Sequence, residues 1–270
     1  MARLSMNEMT TYRWSFEEDV RKYRAAGYAG IAVWRQKLSD FGEEKGLELL
    51  SDCGLQVSSL LWAGGFTGSD GRSFRESIDD AAEAVRLAAE MEAACLVVYS
   101  GGRAGHTHNH ARRLVRSALT EVVPLAAQLG VTLALEPMHP ACAADWTFLT
   151  DLDAALDLAA SLPTPGAKIV LDTYHVAHEP RVIERLGSLV PHVAIVHLGD
   201  ARTPPGAEQD RCLLGEGTLP LRELVGALRA AGYDGFFDIE LMGEEIEASD
   251  YDHILAHSRR AAEALLAATD

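Results

Sequence analysis

Four short apolar runs in this chain each end in a side chain that can bind a metal ion. These runs span Thr132–Glu136, Ile169–Asp172, Ala194–His197 and Phe237–Glu240. An apolar run that stops at a carboxylate or an imidazole is typical of a buried parallel strand with a polar residue at its C-terminal end. Three carboxylates brought together without a counter-charge are costly, because burial and like charge both oppose their ionisation. The pattern therefore predicts one divalent metal ion held by Glu136, Asp172, His197 and Glu240.

The donor set indicates which metal and which chemistry to expect. Three carboxylates and one imidazole are rich in oxygen, which favours Mn²⁺, with Mg²⁺, Co²⁺ or Zn²⁺ as alternatives. In an octahedral geometry four protein ligands leave two adjacent positions open, which the carbonyl and the neighbouring hydroxyl oxygen of a hydroxyketone or an aldose could fill. The metal would then polarise the carbonyl and stabilise the enediolate that forms when a proton leaves the adjacent carbon.

Two of the four ligands, Glu136 and Glu240, are also candidate proton carriers. They follow strands that are not neighbours, so they could flank a substrate from opposite sides. If one carboxylate removes a proton and the other returns it, the outcome is isomerisation or epimerisation. The sequence therefore predicts a metal-dependent isomerase or epimerase whose partner is a small carbohydrate or hydroxyketone.

The elements that must position these residues alternate between strand-like and helix-like from end to end. Eight strands are predicted, at Leu4–Met9, Gly30–Trp34, Leu55–Trp62, Cys95–Tyr99 and in the four runs that end at the metal ligands. Helices are predicted from Ser15 and over Asp40–Cys53, Phe74–Met91, Ala111–Leu129, Leu152–Ser161, Pro180–Val190, Leu219–Ala231 and Tyr251–Ala268. Pro124 is expected to kink or break its helix. His106, His108 and His110 are expected in a glycine-rich loop.

Eight such units without a linker predict a single (β/α)₈ TIM barrel over residues 1–270. A doubly wound open sheet is the alternative, but the chain lacks a G-x-G-x-x-G turn after its first strand. Barrel enzymes place their chemistry at the C-terminal ends of the strands, so a closed barrel would bring the four predicted ligands onto one face.

Composition and charge exclude several classes of protein. The 270 residues are 48% hydrophobic and 24% charged, which is ordinary for a globular protein and excludes a disordered chain. The net charge of −16 repels phosphate backbones, so nucleic acid is not expected as a partner. No window approaches the roughly 18 apolar residues of a membrane span, and the N-terminus lacks a signal-peptide pattern. A cytoplasmic location without a membrane partner is expected, and homo-oligomerisation is left open.

Several short motifs, taken in order, resemble those of the xylose-isomerase-like TIM-barrel superfamily, and most of all its sugar phosphate isomerase/epimerase branch. They are Leu135-Glu136-Pro137, Leu171-Asp172-Thr173-Tyr174-His175, His197-Leu198-Gly199-Asp200, Arg211 ahead of Gly215-Glu216-Gly217, and Gly232-Tyr233-Asp234-Gly235 before Ile239-Glu240. That branch includes ketose 3-epimerases, hydroxypyruvate isomerases and inosose-processing enzymes. The resemblance implies that the four ligands bind one divalent metal and that Glu136 and Glu240 double as the acid/base pair. It also implies that His175 and Arg211 contact substrate oxygens.

Further residues are assigned to the site from their positions. Asp200 is placed beside the substrate, where it would orient Arg211 or hold the loop that carries it. Trp14, Trp34, Trp62 and Trp146 are candidate apolar walls for a sugar ring, with packing in the core as the alternative for each, and Trp34 and Trp62 are favoured because they fall at strand ends. His139 follows Glu136 by three residues, between two prolines, and could act as a general base.

A histidine base would suit a different reaction from epimerisation. Related enzymes of this superfamily cleave oxidised glycosides or dehydrate keto-cyclitols by β-elimination, so a metal-dependent lyase with His139 as base is the alternative function. An endonuclease of the same fold would need additional histidines at the ends of early strands, and the third and fourth strands end without them. Xylose isomerase itself uses a lysine, and none follows the fifth or sixth strand here.

Overall fold

Eight parallel strands form a closed barrel in the computed structural model, which describes residues 3–144 and 146–267. Each strand pairs with the next in the sequence, and the last pairs with the first. The strands are Arg3–Asn7 (β1), Gly30–Trp34 (β2), Gln56–Gly64 (β3), Leu96–Tyr99 (β4), Leu133–Leu135 (β5), Lys168–Asp172 (β6), Val193–Leu198 (β7) and Phe236–Ile239 (β8). The prediction of a (β/α)₈ barrel is confirmed.

Helices follow the strands and surround the barrel. They are Phe16–Ala26 (α1), Arg35–Phe41 (α2), Glu43–Cys53 (α3), Phe74–Glu90 (α4), His108–Leu129 (α5), Leu152–Ala160 (α6), Thr173–Val176 (α7), Val182–Leu189 (α8), Leu221–Ala230 (α9), Glu244–Ala248 (α10) and Tyr251–Ala267 (α11). The predicted end of the last helix, Ala268, lies outside the described residues. No helix in the described ranges is both long and apolar enough to cross a bilayer.

Local chemistry explains where several helices begin and end. Ser15 and Glu18 form a capping box at the start of α1, in which each side chain accepts the backbone N–H of the other residue. Gly27 ends the same helix in the left-handed conformation, with φ of 82°. Each of these helix-end signals involves residues that are close together in the sequence. The sequence is therefore sufficient to predict where α1 begins and ends.

Three helical predictions need correction. The predicted helix Asp40–Cys53 is two helices, α2 and α3, which are separated by Gly42 at φ of 104°. That backbone conformation is open mainly to glycine, so a periodic pattern that runs across it does not form one helix. Helix α5 runs unbroken through Pro124, and it begins early enough that His108 and His110 belong to its first turn.

The strands send alternate side chains to two different environments. Along β8, Phe237 and Ile239 pack in the main core between the barrel and the helices, whereas Phe236 packs inside the barrel. Asp238 follows the same alternation as Phe236 and is also fully buried. The barrel interior is therefore apolar at its N-terminal end and polar towards the end where the strands stop.

Candidate metal centre and active site

The four predicted ligands lie together at the C-terminal end of the barrel. Glu136 and Glu240 directly follow β5 and β8, and their backbone N–H groups donate to Val98 and Leu198 on the preceding strands. Asp172 ends β6 and pairs in register with His197 on β7. One donor atom from each of the four side chains lies within 4.8 Å of the others, and all four residues are buried.

His197 is at the centre of this cluster. Its Nδ1 lies 3.4 Å from Oε1 of Glu136 and 3.3 Å from Oε2 of Glu240. Neither ring nitrogen has a hydrogen-bond partner among the described residues, although both are buried. Leaving a buried polar atom without a partner is costly, and a cation between Nδ1 and the carboxylates would satisfy it. The four residues therefore fit a divalent metal ion.

Arg211 reaches into the cluster from the loop after β7. Its Nη2 lies 2.9 Å from Oδ2 of Asp172, and its Nη1 donates to Oε2 and to the carbonyl oxygen of Glu240, each at 2.8 Å. The guanidinium is buried and packs 4.8 Å from the centre of the Tyr174 ring. The positive charge of Arg211 offsets one of the three negative charges of the candidate ligand carboxylates. The two negative charges that remain would be neutralised by one divalent cation.

The two glutamates have pKa values that differ in direction. Burial raises the pKa of Glu136. Burial also acts to raise the pKa of Glu240, but the charges of Arg211 and His197 outweigh it and hold that pKa well below its usual range. Two carboxylates whose environments separate their pKa values are suited to different roles in proton transfer.

His175 presents a hydrogen-bond donor beside the cluster. Its Nδ1 accepts the backbone N–H of His139 at 3.3 Å, which places the proton of a neutral ring on Nε2. Burial lowers the pKa of His175 to about 4, so the ring is neutral at pH 7. Nε2 lies 3.8 Å from Oδ2 of Asp172 and has no hydrogen-bond partner among the described residues. The N–H group is therefore free for a ligand.

His139 contributes its backbone rather than its ring to this arrangement. Its Nδ1 accepts the N–H of Ala141 at 3.2 Å, and its ring centroid lies 5.7 Å from that of the exposed His178. The cavity above the cluster is lined by Met138 and His175 in this part of the described chain, and not by His139. Partial burial lowers the pKa of His139, which favours the neutral form of its ring.

Asp200 holds the loop that carries Arg211. Its carboxylate accepts four backbone N–H groups, from Ala201, Gly215, Gly217 and Leu219, at distances of 2.8–3.3 Å. A Cβ atom on Gly217 would lie 2.0 Å from Oδ1 of Asp200, so only glycine fits there. The observed contacts of Asp200 thus match the loop-holding role, and its contact with substrate stays a prediction.

Aromatic side chains form one wall of the cavity. Trp62, Tyr99 and Trp146 line it together with Met138 and Met242. Trp34 lies beside Trp62, with a ring-centroid distance of 6.5 Å, but faces the groove outside the cavity. Of the two predicted walls, Trp62 therefore lies closer to the metal ligands.

Residues 20–265 match the family model described as xylose isomerase-like TIM barrel. The chain belongs to this family. Fructoselysine 3-epimerase of Shigella flexneri is 29% identical over 174 residues, which cover 62% of this chain and 59% of the epimerase. The match therefore spans less than two thirds of that enzyme. A putative hydroxypyruvate isomerase of Streptomyces coelicolor is 27% identical over 267 residues, covering 88% of this chain and 89% of the relative.

Solved structures show the same xylose isomerase-like fold. Protein SMc04130 from Sinorhizobium meliloti superposes with a TM-score of 0.89 at 29% identity, over 97% of this chain and 98% of that one. The IOLI protein with a bound zinc atom superposes with a TM-score of 0.85 at 19% identity, over 99% of both chains. The two sequence relatives described above are a sugar epimerase and a putative isomerase.

Asp238 lies beside His197 but is not among the site residues predicted from the sequence. Its Oδ2 lies 3.9 Å from Nε2 of His197, on the side of the ring away from the other ligands. Ser5, Asn7 and Ser58 donate hydrogen bonds to its carboxylate at 2.5, 3.0 and 3.3 Å. Burial raises the pKa of Asp238 to about 6. The signal was present, since an acidic residue two positions before Glu240 on a strand shares its face.

Proposed function

We propose that this protein is a divalent-metal-dependent isomerase or epimerase of a sugar or hydroxyketone, acting by proton transfer through an enediolate. The convergence of Glu136, Asp172, His197 and Glu240 within 4.8 Å carries the proposal. A divalent cation bound by these four residues, with Mn²⁺ favoured by the oxygen-rich donor set, would polarise the substrate carbonyl and stabilise the charge that develops on deprotonation.

The residues of the chain supply the proton transfers and hold the substrate. Glu136 and Glu240 follow strands that are separated by two others, so a substrate between them meets a carboxylate on each side. One would take the proton from the carbon next to the carbonyl and the other would return a proton, as general base and general acid. Arg211 fixes the orientation of Glu240 through two hydrogen bonds. The free N–H of His175 would donate to a substrate oxygen.

The relatives support this class of substrate. One relative is named fructoselysine 3-epimerase, and fructoselysine is a ketose derivative. Another is named putative hydroxypyruvate isomerase, and hydroxypyruvate is a hydroxyketone. We therefore place the substrate of this chain in the same chemical range. The cytoplasmic location and the exclusion of nucleic acid from its partners stay predictions.

Solvent isotope exchange tests the proposal. Each member of a panel of ketoses and hydroxyketones is incubated with the Mn²⁺-loaded protein in D₂O, and NMR follows deuterium at the carbon next to the carbonyl. Glu136→Gln and Glu240→Gln should each lower the exchange rate by at least ~100-fold, because each removes a proton carrier. Glu48→Gln, on the exposed face of α3, is the matched control and should exchange at the wild-type rate. Wild-type rates in both site variants would contradict the assignment.

The alternative, a lyase with His139 as base, makes a different prediction. Because the ring of His139 is turned towards His178 rather than the cavity, we expect His139→Ala to retain exchange activity within about tenfold of wild type. The measurement is the exchange rate together with metal content by elemental analysis. Complete loss of turnover at unchanged metal content, with release of water or an aglycone by the wild type, would favour the lyase.

A further inference from the structure

A groove lined by aromatic side chains lies beside the cavity over the candidate metal-ligand cluster. The groove has a volume of about 470 Å³. Trp62, Tyr99 and Trp146 line both the cavity and the groove, so the two spaces share one wall. We call this space the outer groove and define its wall as Trp34, Trp62, Tyr99 and Trp146. A ligand larger than one sugar ring could contact both spaces across these shared side chains.

The aromatic rings of the outer groove form a continuous row. Successive ring centroids are 6.5 Å apart from Trp34 to Trp62, 5.9 Å to Trp146 and 6.2 Å on to Tyr99. Trp146 is 42% exposed, which leaves a large apolar face open to solvent. The other three rings are partly buried, so the row offers partly exposed aromatic faces on which the C–H face of a sugar ring could pack.

Hydrogen bonds fix the backbone of two wall residues, Trp34 and Trp62, and the hydroxyl group of Tyr99. The backbone N–H of Trp34 donates to Oε2 of Glu8 at 2.6 Å, and the carbonyl oxygen of Trp62 accepts from Nη1 of Arg35 at 3.1 Å. The hydroxyl oxygen of Tyr99 accepts from Arg72 at 3.2 Å. Binding to a wall that is already ordered loses less conformational entropy, so the groove is suited to recognition.

Charge shows which kind of ring would fit. The two arginines of the groove, Arg35 and Arg72, both pair with Asp80, at 3.0 and 2.7 Å. Glu43 and Glu83 lie on the same lining, so an anion would meet negative charge there. Gln36 and Ser39 add uncharged polar groups to the rim. This combination of aromatic faces and neutral donors disfavours a phosphate and suits an uncharged, hydroxylated ring.

We propose that the outer groove binds a second, uncharged sugar ring, so that the substrate is a disaccharide or glycoside whose reacting ring lies over Glu136 and Glu240. The assignment of the reacting ring rests on the proposed function, whereas the binding of a second ring rests on the groove itself. Trp62 and Trp146 stand where the two rings would meet, since they line both spaces.

Binding of alditols tests the groove without turnover, because an alditol has no carbonyl. Isothermal titration calorimetry on the metal-loaded protein compares sorbitol with its 4-O- and 6-O-glucosyl derivatives. At least one glucosyl derivative should bind about tenfold more tightly than sorbitol, as one added ring packs on the aromatic wall. If no glucosylated alditol binds more tightly than sorbitol, the proposal is overturned.

Two substitutions check that the preference comes from the outer groove. Trp34→Ala removes one ring of the wall, and Ser39→Trp places an indole in the groove from an exposed position on α2. Each substitution should reduce the tenfold preference for a glucosyl derivative over sorbitol to about twofold or less. Ser51→Trp, an exposed serine on α3 at the other end of the barrel, is the matched control and should keep it. An unchanged preference in both groove variants would overturn the proposal.

The same ligand series separates this inference from the proposed function. Solvent deuterium exchange is measured for D-fructose and its 4-O- and 6-O-glucosyl derivatives, and a glucosyl ketose should have the higher kcat/KM. If glucosylated alditols bind more tightly but no ketose in the series or the wider panel exchanges deuterium, the groove is supported and the proposed chemistry fails. If D-fructose exchanges with a kcat/KM equal to or above that of both derivatives, the chemistry stands and the groove proposal fails.

Discussion

At the scale of single residues, the environment of His197 is decided by partners on both sides of its ring. Nδ1 faces Glu136 and Glu240, whereas Nε2 faces Asp238 at 3.9 Å. A carboxylate behind a metal-binding histidine commonly fixes its tautomer and orientation and raises its basicity as a ligand. Asp238 is in turn held by Ser5 and Asn7. We therefore interpret Asp238 as a positioning residue for His197.

Asp238→Asn tests this role. The amide is nearly isosteric but carries no charge, so we expect metal affinity to fall about 10- to 100-fold. Affinity is measured by competition with a chromogenic chelator, and circular dichroism checks that the fold is kept. Asp234→Asn, at an exposed position just before the same strand, should bind metal as the wild type does. Equal affinity in the two variants would show that Asp238 is only a buried structural residue.

At the scale of elements, the loop from Arg211 to Leu219 determines how the side chain of Arg211 contacts the candidate metal ligands. Asp200, just beyond β7, binds three N–H groups of this loop, and the N–H of Arg211 donates to Met242 O at 2.9 Å. The loop is thus tied both to β7 and to the segment after β8. These ties position a buried guanidinium that would otherwise be costly to place.

Gly217→Ala should disturb this loop. The added Cβ would lie 2.0 Å from Asp200 Oδ1 and 2.6 Å from the backbone nitrogen of Ala201, so the loop must move. We expect a loss of about 1–3 kcal/mol in the free energy of unfolding and a lower kcat. Denaturant unfolding and steady-state kinetics measure the two effects.

Gly187→Ala is the matched control for that substitution. Gly187 lies on the exposed face of α8, and a Cβ there meets nothing within 4 Å. Because alanine favours the helix, this variant should gain up to about 1 kcal/mol in stability at unchanged activity. A stable, fully active Gly217→Ala protein would mean that the loop tolerates displacement and that Asp200 does not position Arg211.

At the scale of the whole molecule, charge couples the site to stability. Three buried ligand carboxylates are set against one guanidinium, within a chain of net charge −16. The barrel brings these like charges together only because its closure and the apolar core outweigh their repulsion. A bound divalent cation removes that repulsion, so metal binding and folding should be linked. That residues 1–270 form a single domain stays a prediction, as does the oligomeric state.

Removal of the metal should therefore lower the melting temperature. At a Mn²⁺ concentration 100-fold above its Kd the stabilisation is about 2.7 kcal/mol, which corresponds to roughly 5–10 °C for a chain of this size. Differential scanning fluorimetry with and without EDTA, followed by readdition of Mn²⁺, measures the shift. Glu240→Gln should show a smaller shift because one ligand charge is lost. A melting temperature that is indifferent to EDTA and Mn²⁺ would contradict a metal site.

The sequence by itself determined the barrel and pointed to the four candidate metal ligands, because both predictions depend on local patterns at the strand ends. Strand ends and the capping box of α1 are each visible within a few residues, and strand-like and helix-like segments alternate along the whole chain. The repeated strand ending at Glu136, Asp172, His197 and Glu240 indicated one site. The helix boundary at Gly42 was missed because periodicity does not report backbone conformation. His108 and His110 lie in α5 rather than in the predicted loop, because the helix begins before its apolar pattern does.

Only the tertiary structure decided which distant groups surround the ligands. Arg211 meets Asp172 from 39 positions away, and Ser5 meets Asp238 from 233 positions away. The outer groove likewise combines side chains from β2, β3 and β4 with Trp146. Such contacts depend on barrel closure, on strand register and on loop paths, none of which is encoded in a short stretch of residues. The strand ends indicated the candidate chemistry, whereas its geometry depends on how the strands come together in the closed barrel.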